Sequence, residues 1–229
     1  QWLDGRRRGK KTERSERERF RRELAKLRAA LAERADEERR RRALAYPDPS
    51  EVVRRVTLPS TSLWQRRPTH PDFLLLRAGI GDVPWKPPVP DTSGSYGTNA
   101  PPEELTQVLS EASVLHGSPV PLELQQGGVV GIVGDRNAAL AVARSLVCQA
   151  ATLHGPADMP IMVLASFENA SAWDWAKWLP HTRDATGTQR LLSYNPEQST
   201  RLVEAQLKAS PKDKKPLRPG ERQGGPTTL

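Results

Sequence analysis

Residues 129–153 read VVGIVGDRNAALAVARSLVCQAATL, and the fold prediction depends on this stretch. The run over Val129–Gly134 is continuously apolar apart from glycine, which is typical of a buried strand. The segment Ala138–Leu153 places apolar residues at helical spacing and predicts a helix. We therefore expect a strand that turns into a helix just after Gly134, the position at which phosphate-binding loops begin.

This bend supplies the candidate nucleotide-binding residues of the chain: Gly134, Asp135, Arg136, Asn137 and Ala138. A working phosphate loop needs the pattern G-x-x-x-x-G-K-[ST], because the glycines shape the cradle, the lysine binds the outer phosphates and the hydroxyl binds magnesium. When the pattern starts at Gly134, the last three required positions are occupied by Ala139, Leu140 and Ala141. The helix start and its arginine still offer something to an anion, although the aspartate would repel it. We expect a degenerate site and no catalytic residue.

The N-terminal residues carry all the excess positive charge of the chain. The full 229 residues have a net charge of +8, and residues 1–45 contain 17 Lys or Arg against 9 Asp or Glu. Residues 1–11 begin with Trp2 and Leu3 and then become strongly basic, as the cytoplasmic flank of a membrane helix does. We expect a juxtamembrane segment near lipid headgroups, in a fragment of a longer protein; a solvated basic arm or a nucleic-acid contact is the alternative.

Residues 12–45 predict a long helical stalk. The stretch has no proline or glycine and is rich in Glu, Arg, Ala and Leu, which favour helices. Its larger apolar residues share one stripe at spacings of four and three: Phe20, Leu24, Leu27 and Leu31. A single narrow stripe indicates pairing with a partner helix or with a second copy of the same helix. Pro47 and Pro49 are expected to end the helix.

Residues 46–229 are expected to form an ATPase-like domain with loops at 84–102 and 210–225, where proline, glycine and polar residues are abundant. The local patterns predict a helix near 52–56, an extended segment at 73–77, a helix over Glu103–His116, strands at Val120–Leu124, Ile161–Ala165 and Arg190–Tyr194, and helices at Ala172–Leu179 and Pro196–Leu207. Strands that alternate with helices form parallel sheets. We predict an α/β fold in which a long N-terminal helical stalk precedes a degenerate P-loop-like domain with a mainly parallel, helix-covered sheet.

Three of the six tryptophans lie within six residues, at Trp173, Trp175 and Trp178. On a helix, Trp175 and Trp178 share a face with Leu179, and this face is expected to pack on the sheet. Trp173 lies off that face and is free to anchor a neighbouring domain or subunit. Core packing and docking to a partner are therefore both open for this cluster.

Other site classes find no support in the sequence. The single cysteine excludes an intrachain disulfide framework, and the four histidines have no ligand spacing, so no metal site is expected. Acidic residues are interleaved with arginine through the basic helix. They weaken the alternative function that the charge suggests, which is a cytoplasmic nucleic-acid-binding protein using this helix as its contact arm.

Four separated stretches resemble the EccC family, the membrane-anchored FtsK/SpoIIIE-type ATPases of type VII (ESX) secretion systems. They follow in the order that the family shows: Tyr46–Pro49, Leu63–Arg67, Pro71–Gly79 and Trp173–His181. The family pattern contains a "DGxG" turn near Gly187, where this chain has Ala185 and Thr186 instead of the acid.

The resemblance implies a stalk and an ATPase-like domain attached through transmembrane helices upstream of Gln1, at the cytoplasmic face of the inner membrane. It also implies EccB, EccD, EccE and further EccC copies as partners, and WXG-type proteins as exported substrates. ATP and magnesium are expected for later ATPase domains of the parent protein, with no cofactor in this fragment and no nucleic acid. The fragment itself is expected to couple the motor to the membrane.

Overall fold

The computed structural model describes residues 2–58, 60–88, 102–125 and 128–209, with side chains from residue 14 onward. The chain divides into two compact units, Gln1–Asp158 and Met159–Leu229. The first unit contains the predicted stalk together with the first part of the predicted domain. Most of the predicted loop 84–102 and the whole of the loop 210–225 lie outside the described residues.

Within its described residues, the first unit contains four helices and a two-stranded sheet. In chain order its elements are α1 (Trp2–Ala45), α2 (Pro49–Thr57), β1 (Leu75–Pro84), α3 (Glu103–Glu111), β2 (Val114–Glu123) and α4 (Arg136–Leu153). A helix over residues 12–45 is confirmed, and it begins earlier than predicted because residues 2–11 continue it. The predicted helix over Glu103–His116 stops at Glu111, since the chain changes to strand at Val114.

The apolar stripe of α1 packs against α3. Leu24 and Leu31 are buried there with Leu105 and Val108 of α3, and Phe20 and Leu27 pack around this cluster from α1. Of the two predicted alternatives, pairing with a partner helix is therefore the one observed, and the partner is a helix of the same chain. Elsewhere the surface of α1 carries ion pairs three or four residues apart, such as Arg14 with Glu18, which support an exposed helix.

The segment between α1 and α2 ends one helix and starts the next within three residues. Tyr46 N–H still donates to the Arg42 carbonyl, and the buried Pro47 cannot extend the helix. The Asp48 carboxylate then accepts hydrogen bonds from the backbone N–H groups of Ser50 and Glu51 at 2.8 and 3.0 Å, which caps α2. The predicted end of the long helix is confirmed.

The sheet of the first unit is antiparallel. Strand β1 pairs with β2 from Leu75 opposite Glu123 to Pro84 opposite Val114, with register shifts after Arg77 and after Gly81. The last three residues of the extended segment predicted at 73–77, and all but the last residue of the strand predicted at Val120–Leu124, lie in strands that are longer than expected, whereas Phe73 and Leu74 lie in a turn. Their antiparallel pairing departs from the predicted, mainly parallel sheet, because strand direction is decided by the partner and not by the local pattern.

The strand predicted at Val129–Gly134 is absent, and this prediction was wrong. Residues 128–134 have no strand structure, and Val129 and Val133 are 100% and 97% exposed. An apolar run forms a buried strand only when neighbouring strands supply hydrogen bonds and cover its faces. In the described residues no strand lies beside this run. The helix that follows is confirmed, and it begins at Arg136.

The second unit has a small parallel sheet. In chain order it contains β3 (Val163–Leu164), α5 (Ala170–Trp173), β4 (Leu192–Ser193) and α6 (Pro196–Ala209), with 3₁₀ turns at Phe167–Asn169, Asp174–Trp178 and Pro180–Thr182. Val163 pairs with Leu192 and Leu164 with Ser193, in parallel register. The two strands predicted here are therefore present and parallel, although each is only two residues long. Because the longer sheet is antiparallel, the described strands do not form a mainly parallel sheet.

Candidate functional site

The predicted nucleotide-binding residues lie at an exposed helix start. Residues 134–138 are all exposed, and Gly134 has a φ of +148°, which glycine adopts readily. The Asp135 carboxylate accepts hydrogen bonds from the backbone N–H groups of Asn137 and Ala138 at 2.9 and 3.1 Å. The Asp135 carbonyl accepts a further bond from Ala139 N–H at 2.8 Å. The amides that an anion would need at this position are therefore engaged by a carboxylate of the chain itself.

The opposite end of α4 has a different environment. Residues 149–155 are all buried, and the side chains of Gln149, Leu153 and His154 are 2%, 0% and 0% exposed. The side chains of Gln149 and His154 are both hydrogen-bonded to the main chain of another segment. Buried polar groups need such partners, because an unsatisfied donor or acceptor costs about 1–3 kcal/mol.

Gln149 holds the start of β1. Its Oε1 accepts a hydrogen bond from the Arg77 N–H at 2.9 Å, and its Nε2 donates to the Arg77 carbonyl at 3.0 Å. One side-chain amide therefore satisfies both backbone groups of one strand residue, at the point where β1 shifts register. The Ser145 hydroxyl, one turn earlier on α4, receives a further hydrogen bond from Nε2 at 3.2 Å.

His154 holds the residue just before β1. Its Nε2 accepts a hydrogen bond from Leu74 N–H at 2.9 Å, so its Nδ1 carries the proton and donates to the Ala150 carbonyl, also at 2.9 Å. The Phe73 ring packs edge-on against the imidazole at 5.0 Å between centroids. Leu74 has a φ of +56°, an uncommon value for a residue with a side chain. Such a conformation persists where surrounding contacts determine it, and the His154 bond is one of them.

The segment from Trp64 to Arg66 lies along the C-terminal end of α4. Trp64 N–H donates to the Thr152 carbonyl and Arg66 N–H to the Leu153 carbonyl, both at 2.9 Å. The Trp64 indole N–H donates to the Ala151 carbonyl at 2.9 Å. Three consecutive carbonyls at the helix end, which have no partner within an α-helix, are thereby satisfied. Trp64 also has a positive φ, of +55°.

The Arg66 guanidinium joins three segments of the unit. Its Nη2 donates to the carbonyl of Ala45, the last residue of α1, at 2.6 Å, and its Nη1 donates to the carbonyl of Leu75, the first residue of β1. Its Nε lies 3.2 Å from the Asp72 carboxylate. The Arg66 side chain is only 6% exposed. Burial lowers the pKa of this guanidinium, and the Asp72 carboxylate acts in the opposite direction.

We call Trp64, Arg66, Arg77, Gln149 and His154 the α1–α4 junction. Arg77 completes it, because its Nη1 lies 3.4 Å from the Tyr46 carbonyl, just beyond the end of α1. Two arginines therefore face the carbonyl end of α1, where positive charge is favourable. The junction contains no nucleophile paired with a base and no cluster of carboxylates. Its contacts are hydrogen bonds to the main chain at the ends of helices and at the start of β1.

None of the predicted site residues belongs to this junction. Arg66 and Arg77 fall within the stretches that resemble the EccC family, and this resemblance was the available signal for them. Gln149 and His154 had no local signal, because a glutamine within a helix and a histidine after it are ordinary in sequence. Their role depends on segments some 70 to 80 positions away in the chain.

The predicted docking residues fall into two groups. In the first unit, the stripe Phe20–Leu31 is covered by α3. In the second unit, Trp173 and Trp175 stack on each other at 6.3 Å between centroids and both are half-buried. Trp178 is 78% exposed, with the Lys177 ammonium 5.5 Å from its ring. These observations leave a docking role for the tryptophans as a prediction.

The predicted packing face of the tryptophan segment was wrong. Trp175 and Trp178 were expected to pack inward together, but Trp178 points to solvent and Ala176, which is 0% exposed, is the buried residue. The helix predicted over Ala172–Leu179 changes from α to 3₁₀ geometry between Trp173 and Asp174. A 3₁₀ helix has three residues per turn, so the α-helical spacing no longer identifies the buried face.

No helix among the described residues combines the length and apolar character needed to cross a membrane. The charged surface of α1, with ion pairs such as that of Arg34 and Glu37, agrees with this finding. The side chains of residues 1–11, which were expected near lipid headgroups, lie outside the described residues.

The long helix α1, the hydrogen-bonded junction at its end and the self-capped start of α4 are the main features of the first unit. No established family profile matches the chain. Individual proteins do match it. The ESX-3 secretion system protein EccC3 of Mycobacterium tuberculosis is 30% identical over 198 residues, which is 82% of this chain and 15% of that protein.

Two further relatives agree. The ESX-4 secretion system protein EccC4 of the same organism is 30% identical over 146 residues, 60% of this chain and 11% of the relative. The ESX secretion system protein EccC of Thermomonospora curvata is 32% identical over 169 residues, 68% of this chain and 12% of the relative. The chain therefore belongs with the EccC proteins of ESX secretion systems, and it spans only about an eighth of their length.

Proposed function

We propose that this chain is the coupling section of an EccC-type protein and acts in type VII secretion. In this role α1 is a stalk, and the α1–α4 junction fixes the stalk to the domain that carries α4. One observation carries the proposal: three of the four family-like stretches meet at the junction. Tyr46–Pro49 adjoins the arginine-bound end of α1, Leu63–Arg67 runs along the end of α4, and Pro71–Gly79 contains the main chain that Gln149 and His154 hold.

The section is proposed to transmit force rather than to hydrolyse nucleotide. Leu140 stands where a phosphate loop has its lysine, and the Asp135 carboxylate already binds the amides at the helix start. The apolar sequence before this bend, although it is not a strand in the structure, and the helix after it are the pattern that supports descent from a nucleotide-binding, P-loop-like fold that has lost its chemistry. ATP and magnesium are proposed to act in later domains of the parent protein, which is related to the FtsK/SpoIIIE ATPases.

The place of the section is proposed to be the cytoplasmic face of the inner membrane. The basic residues 1–11 would lie near anionic headgroups, which attract clustered Lys and Arg. EccB, EccD, EccE and other EccC copies are the proposed neighbours, and WXG-type proteins are the proposed cargo of the complete assembly. The half-buried Trp173 and Trp175 and the exposed Trp178 are the proposed docking residues of the second unit.

The structure gives no specific support to nucleic-acid binding. Along α1, arginines are bound to neighbouring carboxylates at short distances, as in the group that Glu38 forms with Arg41 at 2.7 Å and Arg42 at 2.8 Å. Such pairs reduce the positive field that a phosphate backbone would meet.

The proposal is tested by secretion of WXG-type proteins into the culture medium. The parent gene is replaced by a version carrying His154→Ala together with Gln149→Met. We expect export to fall, because the variant loses the bonds between α4 and the segment at β1. The membrane complex should still assemble on native gels, because α1 and α4 themselves are retained. The matched control is Arg67→Ala, since the Arg67 side chain is exposed and pairs with the Asp158 carboxylate, which is not part of the junction.

Two outcomes would contradict the proposal. If deletion of the gene causes no loss of WXG-protein export, the proposed role in type VII secretion is wrong. If the double variant exports WXG-type proteins fully although its junction is disrupted in the purified chain, the proposed coupling role is wrong. The proposed membership of the secretion system would still stand.

A further inference from the structure

The main-chain and side-chain bonds of Arg66 connect three elements of the first unit, namely α1, β1 and α4. On one side, α1 and α3 are held together by their own apolar cluster around Leu24 and Leu105. On the other side, α4 contacts α2 and β1, and its C-terminal end is hydrogen-bonded to the short segments 64–66 and 74–77. Arg66 is the residue that bonds to all three: through its guanidinium to α1 and β1, and through its N–H to the end of α4.

We infer that Arg66 is the positioning residue of a rigid joint, which sets the angle between α1 and α4 so that the two helices move as one lever. The inference rests on the proposed function only for the use to which the lever is put. The joint itself follows from the contacts, because one planar, five-donor group fixes two carbonyls in directions that a flexible side chain would not fix.

The bonds of Arg66 are suited to orientation because their acceptors sit at helix and strand ends. The Ala45 carbonyl terminates α1, the Leu75 carbonyl opens β1 and the Leu153 carbonyl terminates α4. The Arg66 bond at the Ala45 carbonyl fixes the end of α1, and the cluster around Leu24 and Leu105 fixes a second point along the helix, so that the two contacts together set its direction. The 18 residues of α4 extend about 27 Å from this joint to Asp135. A displacement at the Asp135 end would therefore reach α1 through Arg66.

The neighbouring Arg67 provides a matched comparison. It has the same chemistry and lies one position further along the chain, but its side chain is 56% exposed and its Nη1 bonds to the Asp158 carboxylate at 2.8 Å. Loss of this exposed pair is expected to change little. Any effect that is specific to Arg66 therefore reflects its place at the joint and not the loss of one arginine.

The joint is tested by distance measurements between spin labels in the full 229-residue chain, with Cys148→Ser as the background. One label replaces the exposed Arg17 on α1. In one pair the second label is on α4, at the exposed Ala141, and in the other it is on α3, at the exposed Glu104. The first pair reports on the joint. The second reports on the α1–α3 contact, which does not involve Arg66.

We expect a single narrow distance for both pairs in the wild-type chain. Arg66→Ala should remove the narrow peak of the 17–141 pair and leave the 17–104 pair unchanged. Arg66→Lys, which keeps the charge but lacks the planar fork that directs separate donors to the Ala45 and Leu75 carbonyls, should broaden the 17–141 distance in a chain that remains folded. Arg67→Ala should change neither pair.

The readout separates a joint from a general contribution to stability. If the thermal midpoint of Arg66→Ala falls while its 17–141 distance stays narrow, Arg66 only stabilises the fold and the inference is wrong. Broadening of both pairs would also overturn it, because the unit would then loosen as a whole. Neither result depends on secretion, so failure of the joint and failure of the proposed function remain distinguishable.

Discussion

The two ends of α4 belong to one continuous helix but differ in almost every physical respect. The N-terminal end is exposed, follows an apolar run that no described strand covers, and is capped by its own Asp135. The C-terminal end is buried and bonded by Gln149, His154 and the 64–66 main chain. The comparison shows that the part of a helix whose sequence resembles a catalytic motif need not be the part that packs into the structure. In α4 the motif-like end is exposed, and the end without a motif is buried and hydrogen-bonded to other segments.

The largest expected effect comes from removing a bond at the buried end. Gln149→Met preserves the approximate size of the side chain but removes both hydrogen bonds to the Arg77 main chain. We expect the free energy of unfolding to fall by about 1–3 kcal/mol, because partly buried backbone groups are left without a partner. Urea unfolding followed by circular dichroism measures this change.

The matched control for that change is Gln107→Met on α3. Gln107 is exposed, and its amide bonds to Glu111 on the same helix at 2.9 Å. Its replacement should alter the free energy of unfolding by no more than about 0.5 kcal/mol, as is usual at surface positions. Equal losses for the two variants would show that the buried end of α4 is not special.

A smaller effect is expected at the exposed end. Asp135→Ala removes the cap of α4 and should cost about 1 kcal/mol, whereas Asp135→Ser should retain most of the capping bond. Hydrogen exchange should become faster at the amides of Asn137 and Ala138, which lose their acceptor. The amides near Gln149 should be unaffected, because the frayed turn is far from the junction.

The same variant tests whether the bend retains nucleotide chemistry. ATP with magnesium should raise the thermal midpoint of neither the wild-type chain nor Asp135→Ala, because the lysine and hydroxyl positions hold Leu140 and Ala141. A ligand that binds the folded chain would raise that midpoint by mass action. A higher thermal midpoint with ATP and magnesium in either protein would contradict the interpretation of the site as degenerate.

The smallest effect is expected in the last turns of α1, beside the junction. Hydrogen bonds from Arg41, and after it Arg42, hold the pKa of Glu38 at about 2 against the opposing effect of burial, below its ordinary value of 4.5. A lowered pKa stabilises the folded state fully above the ordinary value, and this contribution disappears as the pH falls from about 4.5 towards 2. Glu38→Gln should therefore destabilise the chain at pH 6, by less than about 1 kcal/mol, and should make little difference near pH 2.

Glu33→Gln serves as the control for this pH dependence, because Glu33 is an exposed carboxylate of the same helix. Its unfolding free energy should follow that of the wild type throughout. If wild type and Glu38→Gln remain parallel between pH 6 and pH 2, the Glu38 bonds do not contribute to acid sensitivity.

The helices were predictable because their signals are local. The proline-free composition of residues 12–45 and the apolar spacing after Ala138 depend on neighbours three and four positions away, and both α1 and α4 form as expected. The stripe of Phe20–Leu31 also predicted a helical partner, although not that the partner would be α3.

The sheets and the junction were less predictable because they depend on distant partners. The run Val129–Gly134 has the composition of a strand, yet no described strand lies beside it to form the hydrogen bonds of a sheet. The strands β1 and β2 are separated in sequence by the proline-rich segment and α3. No periodicity in the sequence specifies whether they pair in parallel or antiparallel direction. His154 and Gln149 matter through the main chain at Leu74 and Arg77, and a single sequence carries no signal of such contacts.

Gln149 has one more consequence, which concerns the behaviour of the chain among other molecules. A two-stranded sheet has open edges, and each exposed backbone donor or acceptor on them can form a hydrogen bond with a strand of another molecule. At Arg77 both groups are already engaged by the glutamine amide, beside a shift in strand register. The side chain that ties α4 to β1 therefore also closes this point of the sheet to aggregation, so loss of Gln149 should favour self-association as well as unfolding.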